Sequence, residues 1–394
     1  MALSVALGCG GSDASEAARE VVRRDSAGIE IVQNLLSPAE LPVWRLSSEP
    51  SLRLGALDGP AELQFFRVSA ARRPSDGRVV VANGGSGEIR VFDERGNLVL
   101  SFGSEGEGPM EFGAILGMWT GPGDTLLVYD ASHQRLAEWT LAGEFVRVSP
   151  LSPMFLNPPQ ARGRLSDESV IFAELYLDLP ESGFDWSPYI VRRYASDGTE
   201  LDTLARVPGQ KAGRIEMPGG ELFGGGPHFG ARAVAVGGGE AVHLATGRSY
   251  EVRRIGLDGK VDRLLRWTGP PRDVEEADVQ WIRERALASS ETDEGRRRAL
   301  RFFEARPVEA EFPTVEDLVL ATDGGLWVRE YERPGDDPAQ DWLIFDPDGR
   351  LAARIELPER LRVFEIGPDY VLGVERDELD VEYVVSYPLL RGSP

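Results

Sequence analysis

The chain is patterned for short strands. Apolar, often β-branched residues alternate with polar ones at period two, and Gly, Pro, Asn or Asp interrupts the alternation at short intervals. The clearest unit runs GRVVVANGGSGEIRVFDERGNLVLSFG from Gly77 to Gly103: a β-branched run, a polar loop, an alternating strand, a turn and another strand. A second, DTLLVYDASHQRLAEWTLAGEFVRV, spans Asp124 to Val148. Fainter copies turn at Asp197-Gly198, Asp258-Gly259 and Asp348-Gly349, a dipeptide that takes positive φ cheaply and so marks hairpins. The last copy is abbreviated, with YVLGVE from Tyr370 and VEYVVSYPLL from Val381. A period of about 40 to 50 residues points to a propeller or solenoid, and it overrules the two or three domains that 394 residues would suggest.

The short last copy has a mate at the other end. SLRLGALDGPAELQFFRV (Ser51 to Val68) matches VLSFGSEGEGPMEFGAIL (Val99 to Leu116), each with an acidic residue, Gly-Pro, one residue, then Glu and an apolar residue. Ser51 to Gly55 is therefore expected to supply the last strand of the C-terminal blade, which removes an exposed sheet edge. The expectation is an all-β, six-bladed β-propeller over residues 41–394. One segment departs from it. Asp273 to Arg306 lacks turn signals, opens with Asp273 and Glu276 at capping-box spacing, and predicts a helix-loop-helix insertion on one rim.

VYDASHQRLAEWTLAGEF (Val128 to Phe145) resembles the NHL repeat, with Val128, Asp130, Arg135 and Leu136 in register. Val81 to Leu98 fits the same pattern through Asn83, Arg90, Val91, Phe92 and Gly96. The resemblance implies an NHL-like propeller and leaves activity open, because such propellers host binding modules, lactonases and lyases. Lactonase-like propellers hold a divalent metal with Glu, Asn and Asp from separate blades, and no motif carries those ligands onto this chain.

Charge narrows the partners. With 43 Lys and Arg against 65 Asp and Glu, a formal −22, the mean field repels nucleic acid and anionic headgroups. The single cysteine, Cys9, has no disulfide or thiolate partner. It follows the apolar run Leu3 to Gly8 and precedes Gly10, Gly11 and Ser12, which resembles the lipobox of bacterial lipoprotein signal peptides. The resemblance implies a signal peptide over residues 1–9, acylation of Cys9, and a place in the bacterial cell envelope, on the outer membrane, periplasm-facing or secreted; the chain is expected to be a monomer. Its only membrane contact would be the lipid. Residues 10–40 read as tether and N-terminal extension, with Ser12 to Gly28 polar and solvated.

Strand direction selects a rim for chemistry. In an up-and-down blade, the loops between second and third strands share an end with the crossovers to the next blade, and those loops are long here. The aromatics Tyr176, Trp186, Tyr331 and Trp342, with His133 and His228, are the candidate ligand contacts. Glu62, Glu111 and Glu311 lie in crossovers, where they would either ligate a hard cation such as calcium or bond backbone amides at Gly-Pro turns. No zincin spacing, GxSxG elbow or phosphate loop is present. The reading is a non-catalytic binding or scaffolding propeller for a peptide, glycan or protein. The alternative is a metal-dependent hydrolase or lactonase working in the channel.

Overall fold

The structure is a computed structural model that describes residues 20–176, 179–217, 220–289, 291–335 and 339–392. Cys9, the signal-peptide segment and the first part of the tether lie outside the described residues. Most of the chain forms antiparallel meanders in which each strand pairs with the next. The first is Val68–Arg72, Val79–Asn83, Glu88–Phe92 and Leu98–Phe102. The second is Ile115–Gly121, Thr125–Asp130, Arg135–Thr140 and Phe145–Pro150. Gln160–Arg164, Val170–Leu175, Phe184–Tyr194 and Glu200–Glu216 form the next, extended by Leu222–Gly225. It is followed by Val234–Gly238, Ala241–Ala245, Glu251–Gly256 and Val261–Arg266. After the helices come Val315–Leu320, Leu326–Glu330, Gln340–Phe345 and Leu351–Leu357. The final meander has Arg362–Ile366, Tyr370–Arg376 and Glu382–Leu390. Its fourth strand is Leu52–Leu54, in register Val384↔Leu54, Val385↔Arg53 and Ser386↔Leu52.

The meanders meet through their first strands. Each first strand contacts that of the next meander, and Arg362–Ile366 contacts Val68–Arg72. Between Gln160–Arg164 and Val234–Gly238 the approach is close enough for a parallel bridge at Gly163↔Gly237. A Cβ on Gly163 would stand 1.9 Å from the Gly237 carbonyl oxygen, so only glycine fits there. Apolar residues fill the space between neighbouring meanders. One cluster joins Val80, Ile89 and Val91 of the first to Met118, Leu126 and Trp139 of the second. Another joins Leu54, Val384 and Leu372 of the final meander to Val68, Val79 and Phe92 of the first.

The N-terminal segment corrects the tether expectation. Val21–Ser26 and Ile29–Asn34 form a hairpin, and Ile29–Asn34 adds in parallel to Val261–Arg266. Val43–Leu46 then adds in parallel to Leu351–Leu357 before Leu52–Leu54 joins the final meander. The outer strands carry unpaired amides and carbonyls, and pairing satisfies them. Val32 is buried against Val252, Leu265 and Leu351. Asn34 ties two meanders together: its amide donates to Arg266 O (3.2 Å) and Gly349 O (3.1 Å), and its oxygen accepts from Leu351 N (2.7 Å).

The insertion is a helical hairpin, α1 (Glu276–Ala288) and α2 (Asp293–Glu304). The start falls later than the Asp273-Glu276 spacing suggests. Glu275 is the N-cap and its amide donates to Asp278 Oδ2 at 2.8 Å, while Asp273 bridges to Glu311 as extended chain.

Candidate functional site

The NHL-like residues are structural. Asp130, fully buried, accepts from Gly113 N (3.2 Å) and Ala114 N (3.1 Å) of the incoming crossover. Its other oxygen meets His133 Nδ1 at 2.6 Å and Arg135 Nε at 3.1 Å. Arg135 in turn donates to Gly108 O and Glu111 O. Asn83 and Arg90 repeat the device: Asn83 accepts from Phe66 N, and Arg90 donates to Glu62 O and Gln64 O. Gln340 donates to Pro358 O, Glu359 O and Leu361 O, and Glu382 accepts from Val68 N at 2.7 Å. These polar groups fix several crossovers to the meanders beside them, because buried backbone amides and carbonyls must find partners. His133 belongs to such a pin through Asp130.

The three glutamates proposed as metal ligands are not brought together, and no group of three or more His, Cys, Asp and Glu forms a metal cage among the described residues. Glu111 accepts from Gly108 N at 2.8 Å and closes the Gly-Pro turn. Glu311 pairs with Arg272 at 3.1 Å, and Glu62 sits in a short 3-10 turn. Trp342 is also misplaced by the sequence reading. It lies inside Gln340–Phe345, 3% exposed, edge-on to Trp327 with its indole N–H on Gln340 Oε1. Tyr176 is exposed beside a separate cavity of about 260 Å³ with Leu156 and Pro158.

Trp186, His228 and Tyr331 share one face. Arg248 and Lys211 lie over the Trp186 ring at 4.9 and 5.6 Å, and Lys211 pairs with Glu309 at 2.8 Å. Glu309 N donates to His228 O, and His228 Nε2 meets Phe303 O of α2 at 3.0 Å, with the two rings 4.2 Å apart. Burial beside Phe303 lowers the His228 pKa below its usual value. Tyr331 stacks on Phe312 at 5.8 Å, and Phe312 packs edge-on against Phe229. Burial pushes the Tyr331 hydroxyl up to about 12, so it remains a neutral donor.

Between the helical hairpin and this rim lies a cavity of about 670 Å³. Trp281, Phe302, Tyr331, Arg285, Arg306 and Arg333 are among its lining residues. Trp281 is 38% exposed with the Arg285 guanidinium 5.2 Å from its ring, and Arg333 lies 4.7 Å over Phe312. Contacts that hold the roof include Arg306 Nε to Gly226 O (2.7 Å) and Arg333 Nη2 to Asp278 Oδ2 (3.2 Å). The arrangement is an aromatic floor with guanidinium edges, suited to binding a flat or apolar group flanked by negative charge. Sequence reasoning found Tyr331 but missed Trp281 and Phe302. Trp281 was legible only as a helical-period residue, and nothing in α2 distinguished Phe302 from its buried neighbour Phe303.

No protein-family model matches the chain, and no curated protein matches it. Solved structures do. A putative exported protein from Bacteroides fragilis aligns at 12% identity over 92% of this chain and 100% of its own, with a TM-score of 0.51. The likeness is one of fold. Regucalcin, a calcium-binding protein from Agrobacterium tumefaciens, aligns at 12% identity over 89% of this chain and 97% of its own, TM-score 0.42. A catalytically inactive virginiamycin B lyase from Staphylococcus aureus, with quinupristin, aligns at 11% over 94% and 98%, TM-score 0.40. The chain is mostly β and its neighbours are propeller-like.

Proposed function

We propose that the chain is a non-catalytic, six-bladed NHL-like propeller that binds a protein segment at the cell envelope. The occupant sits in the groove under the helical hairpin. The ring reading is supported by the unbroken succession of first-strand contacts and by Leu52–Leu54 completing the final meander. The binding reading rests on one observation: the groove gathers Trp281, Phe302 and Tyr331 with three arginines on a rim of a chain whose net charge is −22. A peptide carrying an apolar side chain between carboxylates fits that chemistry. Export is supported by the Cys9 context and by the name of the Bacteroides fragilis protein.

The test uses a photo-crosslinking residue at position 281 in cells. Discrete protein adducts should form, and Tyr331→Ala should weaken them at least fivefold while the melting temperature shifts little. Adducts that persist in Tyr331→Ala, or adducts to glycan alone, contradict the reading. Acylation is tested separately by fractionation, in which Cys9→Ser should release the protein from membranes. If the variant stays with the membrane fraction, the anchor is not at Cys9.

A further inference from the structure

The first strands enclose a second cavity, about 600 Å³, distinct from the rim groove. It reaches the opposite rim at Gly239, Glu240 and Gly324, in turns between first and second strands. Glycines leave its wall clear of side chains: a Cβ on Gly117 would run into Trp119 at 2.6 Å, and one on Gly238 into Leu320 at 2.5 Å.

Four guanidinium groups line this space, from Arg72, Arg162, Arg164 and Arg254. Two are under-satisfied. Arg164 has a side chain only 8% exposed, and its Nε and Nη1 are buried with no acceptor. The carboxylate paired with it is Glu168 at 3.7 Å, itself half exposed. Arg162 meets Gln160 through Nη2, while its Nε is buried without an acceptor. By contrast Arg72 donates to Ala71 O and Phe364 O, and Arg254 pairs with Asp262. One lining acid, Asp317, lies close enough to Arg162 to feel its charge. Glu365 accepts from Tyr370 Oη (2.6 Å) and Arg73 N (3.0 Å), and Glu240 is exposed at the mouth. Burial raises the Asp317 pKa, favouring its neutral form.

A buried cation lacking acceptors is costly, and an oxyanion supplies them in the fork geometry guanidinium prefers. From this we infer that the channel binds a small amphipathic organic carboxylate, its oxyanion on Arg162 and Arg164 and its apolar body against Trp119, Val319 and Leu320. The volume suits a ligand of one or two fused rings with substituents. A monoanion is favoured over a phosphate dianion because Glu365 and Glu240 line the same space and repel added charge.

The inference is independent of the rim groove, and titration calorimetry of the full chain with 2-naphthoate tests it. One naphthoate should bind per chain, with the neutral 2-naphthamide and 2-naphthyl phosphate each at least tenfold weaker. Arg164→Met should weaken naphthoate at least tenfold, and Trp281→Ala in the rim groove should leave it unchanged. The wild-type comparison of naphthoate with its amide requires no variant and stands even if Arg164→Met misfolds. Absence of saturable naphthoate binding, equal binding of the amide, or unchanged affinity in a folded Arg164→Met overturns the site. Tighter binding of the naphthyl phosphate overturns the carboxylate assignment, and loss in Trp281→Ala moves the ligand to the rim.

Discussion

Asp130 shows how a conserved-looking motif residue can serve architecture alone. One buried carboxylate accepts from two crossover amides, an imidazole and a guanidinium. Asp130→Ala strands those donors, and breaking such a buried pair should cost about 3–5 kcal/mol, measured by urea denaturation. A loss under about 1 kcal/mol would show that the pin is dispensable. Glu330 makes the opposite case. Burial lifts its carboxyl from 4.5 to about 7, with the Trp267 indole N–H 3.5 Å away. The folded state therefore keeps this proton where the unfolded chain has released it, so Glu330 weakens stability as pH rises from 4.5 through 7. Glu330→Gln should raise stability at pH 8 by about 3 kcal/mol at most and change little at pH 4. His243 pulls the other way. Burial and Arg254 hold it down to about 4, so protonation costs stability as pH falls from 6.5 towards 4. His243→Gln should flatten that acid limb in a melting-temperature profile.

At the scale of elements, the hairpins with Asp-Gly turns and the helical hairpin were legible because turn chemistry and period are local signals. The belt of Val21–Ser26 and Ile29–Asn34 was not. Five of the six residues in Val21–Ser26 are exposed, so Arg23, Arg24 and Asp25 read as a solvated tether. Ile29–Asn34 pairs with Val261–Arg266, a partner more than 200 residues away, which no local pattern encodes. Trp342 failed for a related reason: acidic and Pro-Gly neighbours made its surroundings look like loop, although Arg329↔Trp342 pairing buries it. The rim groove was legible in part. Tyr331, in the loop after Leu326–Glu330, was visible by composition, whereas Trp281 and Phe302 come from the two helices and the arginines from α1, the segment after α2 and that loop, which only folding assembles. The channel guanidiniums, spread over separate first strands, gave no sequence signal. Asn34→Ala tests the belt: losing its three bonds to Arg266, Gly349 and Leu351 should cost about 2–3 kcal/mol. A variant as stable as the wild type would mean the belt is peripheral.

For the whole molecule, the proposed ring requires its two ends to meet. The channel site needs it, since the channel is lined by Ser69 and Arg72 near one end of the strand order and by Phe364 and Glu365 near the other. The acidic surface does not determine that closure, because net charge bears on solubility and partners rather than on fold. The observation that supports it is the pairing of Leu52–Leu54 with Glu382–Leu390. The direct measurement is a disulfide across it, with Arg53→Cys and Val385→Cys placed opposite each other and Cys9→Ser removing the native thiol. Closely apposed cross-strand Cβ atoms allow a disulfide. If the ends meet, both thiols disappear on mild oxidation of the native protein, the bond is intramolecular, and the melting temperature rises relative to the reduced form. Two free thiols in folded, oxidised protein, or crosslinks only between chains, would contradict that closure.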